Sequence, residues 1–253
     1  MPTRTFPSAL RATPVQPSRS RAAEPADLAQ IHWLAHLDTV ERQRVVADMR
    51  VVTVEPGELV CRVGRPVTYW FGVVDGLLKM SNDSAAKDGT GIPITFTGVS
   101  SGGWFGEGTV LKDEAYRYNI QALRRSVVAG ISAPTFHWLL GRSIGFNRFV
   151  MNQLNERLGQ FIAAREIDRL THPDDRVARS LAALFHPVLY PGVGEVLRIT
   201  QQELGYLVGM GRQRVNEALA ALQAAQVIRV EYGGVRVLDL DRLRTYRADR
   251  AAA

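Results

Sequence analysis

The chain has 253 residues, 46% of them hydrophobic, with a formal net charge of +6 and a single cysteine. That length suits two domains with separate cores, and no run approaches the ~18 apolar residues of a membrane-spanning helix. Cys61, being alone, excludes an internal disulfide, a thiolate-held zinc and an iron–sulfur cluster ligated by several cysteines of one chain.

Residues 1–26 are rich in Pro, Ser, Ala and Arg, lack periodicity, and read as a disordered basic tail. Arg4, Arg11, Arg19 and Arg21 stand here against Glu24, so much of the net charge belongs to the tail. Placement of charge, rather than its total, must therefore identify a partner. The apolar core of a secretory signal is missing, and a cytoplasmic protein without membrane contact is expected.

Between Asp27 and Met49, Leu28, Ile31, Leu34 and Leu37 recur at helical spacing and predict short helices. From Arg50 to Ile131 the texture changes to short alternating apolar runs broken by turns such as Glu55-Pro56-Gly57 and Asp75-Gly76. Turn signals at such regular intervals predict an antiparallel β jelly roll. Residues 81–91, polar throughout, read as an exposed hairpin loop. Cys61, between Val60 and Arg62, reads as a half-buried strand residue, since a redox sensor would lack a resolving partner in the chain.

From Pro134 the pattern is helical. Phe146, Phe149, Val150, Leu154, Leu158, Phe161, Ile162 and Arg165 follow three- and four-residue steps, with Asn147, Asn152, Asn155, Glu156, Arg157 and Gln160 between them. A helix over 143–170 would span ~42 Å, long enough to predict a dimerisation helix over packing on one domain. His172-Pro173-Asp174 breaks it and reads as a hinge.

The most specific segment is Thr200–Leu222, TQQELGYLVGMGRQRVNEALAAL. It predicts two short helices, Gln201–Val208 and Arg212–Gln223, joined by Gly209-Met210-Gly211. Gly205 lets the helices cross closely, Gly209 suits a left-handed turn, and Leu204, Val208, Met210, Val215, Ala218 and Leu219 supply a shared core. These are the constraints of a helix-turn-helix. Its second helix would present Arg212, Gln213, Asn216 and Glu217 to base edges in the major groove. Arg214 is expected at a phosphate, and Thr200 and Gln201 at the DNA backbone. Two alternating runs around Gly233-Gly234 then predict a hairpin wing. The fold class is thus α+β: an N-terminal jelly-roll domain (27–142), the long helix (143–170) and a C-terminal winged helix-turn-helix domain (171–253).

This order resembles the Crp/Fnr superfamily of bacterial transcription regulators over about residues 27–247. Two segments carry the resemblance: Ile199–Val215, and Gly103-Trp-Phe-Gly-Glu-Gly followed by Arg117. The second is similar to the phosphate-binding cassette of cyclic-nucleotide domains. The resemblance implies that Gly106 and Glu107 hold a ribose and that Arg117 neutralises a cyclic phosphate. Tyr118 replaces the usual small hydroxyl, and Phe161 and Ile162 fall where hydroxyls would hold adenine, although Phe161 could still stack on a ring. These departures disfavour a cyclic nucleotide as effector. Gln213 and Glu217 also depart from the family's recognition helix, and Gly211 replaces a capping serine. The resemblance further implies a homodimer on double-stranded DNA with a two-fold operator, and RNA polymerase as a further partner.

An enzyme is not expected. Jelly rolls that perform metal chemistry need convergent histidines, and none occurs between His36 and His137. Neither a nucleophile elbow nor a phosphate-binding or dinucleotide fingerprint appears. No metal site is implied and no cofactor is certain: beside the disfavoured cyclic nucleotide, the barrel's effector is an unrelated small ligand or none. The remaining alternative is a cyclic-nucleotide-binding sensor module whose DNA binding is secondary.

Overall fold

The computed structural model describes residues 19–82 and 94–248. The hairpin loop expected over 81–91 therefore lies, apart from Ser81 and Asn82, outside the described residues. So does the tail over 1–18.

Twelve strands and nine α-helices are described, numbered in chain order. Strand β1 (Arg21–Ala22) pairs antiparallel with β2 (Arg50–Val54), and α1 (Pro25–Leu28) follows it. The expectation of a structureless tail to residue 26 is corrected. Pairing with β2 holds that stretch to the barrel, and Arg21 forms a bidentate pair with the buried Asp27 (2.6 and 3.0 Å) that ties β1 to α1.

After a 3-10 turn (His32–His36) comes α2 (Thr39–Asp48). It starts on a reciprocal cap in which Asp38 accepts from the Glu41 amide and Glu41 accepts from the Asp38 amide. The barrel is two antiparallel sheets. One has the order β1-β2-β9-β4-β7 and the other β3-β8-β5-β6. The remaining strands are β3 (Leu59–Cys61), β4 (Tyr69–Asp75), β5 (Leu77–Asn82), β6 (Ile94–Ser100), β7 (Trp104–Phe105), β8 (Asn119–Ala122) and β9 (Ser126–Ser132), with α3 (Glu107–Lys112) between β7 and β8. Cys61 is fully rather than half buried, and burial pushes its thiol up to about 12, far from a reactive thiolate.

Helix α4 (Ala133–Leu140) leads into α5 (Ile144–Ile167), 24 residues and about 36 Å long. Ser143 caps α5 and also donates to Glu41 (3.0 Å), joining the starts of α2 and α5. Trp33, Trp70, Trp104, Phe136 and Phe146 then clamp the first turns of α5 onto the barrel, with Trp70 and Trp104 only 4.3 Å apart between ring centres.

The two faces of α5 differ from the expected pattern. Its buried face is Phe146, Val150, Gln153, Arg157 and Gln160, whereas Ile144, Met151, Leu158 and Ile162 are exposed. Arg157 and Gln160, read as outward polar positions, continue the inward stripe of Phe146 and Val150. The reason is a polar partner deep in the barrel, described below. Helix α5 ends at Asp168 and α6 (Pro173–Ala183) begins on His172, whose Nδ1 accepts from the Asp174 amide.

The C-terminal core is built from α6, α7 (Gln201–Val208), α8 (Arg212–Ala224), α9 (Leu240–Thr245) and a small sheet β10-β12-β11. Its strands are β10 (Val196–Arg198), β11 (Ile228–Glu231) and β12 (Gly234–Val237). A loop after α6 leaves this domain and enters the barrel, where Leu189 and Tyr190 are fully buried in the barrel core.

Candidate nucleic-acid interface and barrel cassette

Thr200 starts α7 through a capping box. Its hydroxyl accepts from the Glu203 amide and Glu203 accepts from the Thr200 amide (3.1 and 2.7 Å). A Cβ on Gly205 would come within 2.7 Å of the Met210 carbonyl, and Gly209 adopts φ 68°, so the tight crossing of α7 and α8 requires both glycines. Val215, Ala218, Leu219 and Leu222 bury the inner face of α8.

Its outer face carries the anticipated polar row. Arg212, Gln213, Asn216 and Glu217 are exposed together. Gln201 reaches across from α7, accepting from Arg212 Nε (3.3 Å) and donating to Asn216 (2.7 Å), which orients both side chains. Glu217 accepts from Gln213 (3.3 Å) and Arg214 (2.7 Å), and Arg214 also lies 3.4 Å from Asp174. Arg214 is thus tied down in the free protein. Gly211 leaves the first turn of α8 without a side-chain cap.

The wing is present with a shifted turn. Glu231 pairs with Gly234, so Tyr232 and Gly233, not Gly233-Gly234, make the tip. A side chain at Gly234 would strike the Leu197 carbonyl of the third strand (2.8 Å), which is why glycine stands inside β12. Tyr232 is fully exposed there. A cleft of about 430 Å³, bordered by Thr200, Gln201, Arg212 and Gly233, separates the wing from α8.

In the barrel, Gly106 caps α3 with φ 88°, and Glu107 in its first turn is buried. Arg117 does not join them. Its side chain is 70% exposed and pairs with Glu114 at 2.9 Å. The cation facing Glu107 is Arg157 from α5, at 3.6 Å and equally buried. Arg157 also donates to the Trp104 carbonyl (2.6 Å), Gln160 (3.1 Å) and the Tyr190 hydroxyl (3.2 Å). Burial opposes the Arg157 cation, but Tyr190, Glu107 and Tyr118 outweigh it and hold its pKa above the ordinary arginine value. Tyr118 is close to Gly106, and burial beside Glu107 keeps its phenol neutral by raising its pKa. Phe161 packs edge-on to Phe96 of β6 at 6.1 Å.

Sequence reading missed Arg157, Gln160 and Tyr190. The available signal was their phase. Residues 146, 150, 153, 157 and 160 form one continuous helical stripe, so the polar pair had to face whatever Phe146 faces.

Two families match the chain: the cyclic nucleotide-binding domain over residues 51–143 and the Crp-like helix-turn-helix domain over 175–246. The chain is 28% identical over 158 residues to the cAMP-activated global transcriptional regulator CRP of Pasteurella multocida, covering 60% of this chain and 74% of that protein. It is also 28% identical to the cAMP-dependent protein kinase regulatory subunit of Schizosaccharomyces pombe, covering 56% of this chain but only 32% of that protein. Its fold is similar to FixK2 from Bradyrhizobium japonicum, with a TM-score of 0.62 at 16% identity over 80% of this chain and 98% of that one. It is also similar to the regulator CLP of Xanthomonas campestris, with a TM-score of 0.53 at 22% identity over 79% and 99%. Among the described residues, no helix is long and apolar enough to cross a membrane. A sensor module alone has no use for the second matched domain, and this chain carries both in order: a cyclic nucleotide-binding domain followed by a Crp-like helix-turn-helix domain.

Proposed function

We propose that the protein acts as a non-enzymatic, cytoplasmic homodimer that reads a two-fold DNA operator through α8. The observation that carries this is the exposed row Arg212, Gln213, Asn216 and Glu217 beside the wing cleft, in which Gln201 orients Arg212 and Asn216. Arg212 and Gln213 have the donor geometry for guanine and adenine edges, Asn216 and Glu217 flank them, and Thr200 and Arg214 lie where phosphates pass. Dimerisation rests on the stripe Ile144, Met151, Leu158 and Ile162. The first three are seven residues apart, and all four are exposed in the single chain.

The barrel, in this proposal, is closed to cyclic nucleotides. Arg157, itself tied to Tyr190, occupies the position of a ligand's charge beside Glu107 at 3.6 Å and leaves only Glu107 Oε2 without a hydrogen-bond partner, and Arg117 faces solvent. The experiment is a selection of random duplexes against the full chain, followed by sedimentation of the protein–DNA complex. A two-fold site with half-sites about one helical turn apart, bound by two copies, is expected. A monomer on DNA, or no enriched sequence, overturns the reading. Thermal shifts with cyclic AMP and cyclic GMP test the barrel separately, and no shift is expected from either.

A further inference from the structure

A cavity of about 800 Å³ lies between β6, the C-terminal half of α5, α6 and the end of α7, with Gly98 and Gln160, the partners of the Tyr190 hydroxyl, in its lining. Its size is that of a small-molecule site, and its walls come from both halves of the chain. They have two characters. Ile94, Phe96, Ala164 and Leu207 give an apolar side. The cationic character comes from Arg176 and Arg179, one turn apart on α6.

Those two guanidiniums are under-used. Arg176 donates once, to the Val208 carbonyl (3.1 Å), and its Nε is buried without an acceptor. Arg179 Nε is buried and unpaired as well, and none of its nitrogens has a hydrogen bond or ion pair among the described residues. Both side chains are half-buried, and a buried Nε–H normally finds an acceptor, because leaving it unmet is costly. The acids at the rim do not serve. Glu156 is held by His186 Nε2 at 3.1 Å, and Glu166 and Asp168 are exposed and form no ion pair with either arginine.

We propose that this cavity binds an amphipathic anion, a carboxylate or phosphate monoester on an apolar body. The head group takes the free N–H groups of Arg176 and Arg179 in the planar geometry that guanidinium offers, and the body lies against Phe96, Ala164 and Leu207. Since β6 and α5 belong to one half and α6 and α7 to the other, an occupant fixes the DNA-binding domain against the barrel. That coupling, unlike the site itself, rests on the regulator reading above.

Calorimetric titration of the full chain tests the site with decanoate and decyl phosphate below their micellar concentrations. Decanol serves as the headless control and inorganic phosphate as the bodiless one. Decanoate or decyl phosphate is expected to bind at least tenfold tighter than either control, and whichever head binds better identifies the ligand's source as an acyl carboxylate or a phosphate ester. Arg179→Gln is expected to weaken that binding at least tenfold, and Ala164→Phe, which fills the cavity, to abolish it. The head-group comparison needs no variant, so it stands even where a substitution perturbs folding. Decanol binding as tightly as decanoate, unchanged affinity in Arg179→Gln, or no binding by either amphiphile overturns the site. A bound amphiphile that leaves affinity for duplex DNA unchanged overturns only the coupling, whereas a full chain that binds no duplex overturns the regulator reading instead.

Discussion

Arg157 of α5 and Glu107 of α3 face each other at 3.6 Å, both almost wholly removed from water. Around them Tyr190, carried in by the loop after α6, donates to the Gly98 carbonyl (2.8 Å) and accepts from Arg157 and Gln160. Barrel, long helix and DNA-binding domain therefore meet at one buried polar knot. Such a pair adds little net stability compared with apolar packing, but breaking it strands a buried charge.

Arg157→Ala is accordingly expected to destabilise the protein by about 3–5 kcal/mol. The double variant Arg157→Met with Glu107→Leu should recover most of that loss, because it removes both charges. Urea unfolding of Arg157→Met, Glu107→Leu and the double gives the coupling. A double variant as unstable as the singles together would show that the pair is not what holds α5 to α3.

For the DNA-reading face, Arg212→Ala and Gln213→Ala are each expected to cost about 1–3 kcal/mol of operator affinity and to relax base preference at one position. Arg214→Ala should weaken all duplexes alike and lower the salt slope. Fluorescence anisotropy on the selected operator and on a scrambled duplex separates these outcomes. Gln201→Ala touches no base in this reading, yet it should reduce specificity by freeing Arg212 and Asn216.

The helix-turn-helix was legible because its constraints are local. Gly205 and Gly209 answer a backbone crossing within ten residues, and the polar row follows from one helical period. The wing was legible as a hairpin but not in register, since Gly234 is demanded by the Leu197 carbonyl of β10, far away in sequence. The faces of α5 were harder still. Two apolar stripes overlap on it, and only Tyr190, thirty residues beyond Gln160, explains why a polar pair continues the inward one. The cassette was legible as a motif, but that Arg157 of α5 stands against Glu107 while Arg117 pairs with Glu114 is encoded by no local spacing.

The outward stripe of α5 makes its own prediction. Leu158→Glu places a charge at the centre of the apolar row Ile144, Met151, Leu158 and Ile162, on a position already exposed in the single chain. Sedimentation should then show monomers, with the fold retained by circular dichroism and operator affinity sharply reduced. A Leu158→Glu protein that still sediments as a dimer would move the subunit interface off this face.

His186 sets a pH dependence. Its Nδ1 accepts from the Val188 and Leu189 amides (3.3 and 3.2 Å) and its Nε2 faces Glu156, so the ring is held neutral. Burial depresses its pKa below the ordinary 6.5, against the opposing pull of Glu156. The unfolded chain therefore binds the proton more readily. The contribution of His186 is complete above about pH 6.5 and is lost as pH falls from there through the depressed folded value. Protonation would turn Nδ1 into a donor facing two donors, opening the loop that carries Leu189 and Tyr190 into the barrel. Melting temperatures should thus fall between neutral pH and pH 5 in the parent, and fall less steeply in His186→Asn. Asp27, held low by Arg21, titrates in a more acidic window and leaves this comparison undisturbed. Equal slopes for parent and variant would mean that the loop does not depend on the neutral imidazole.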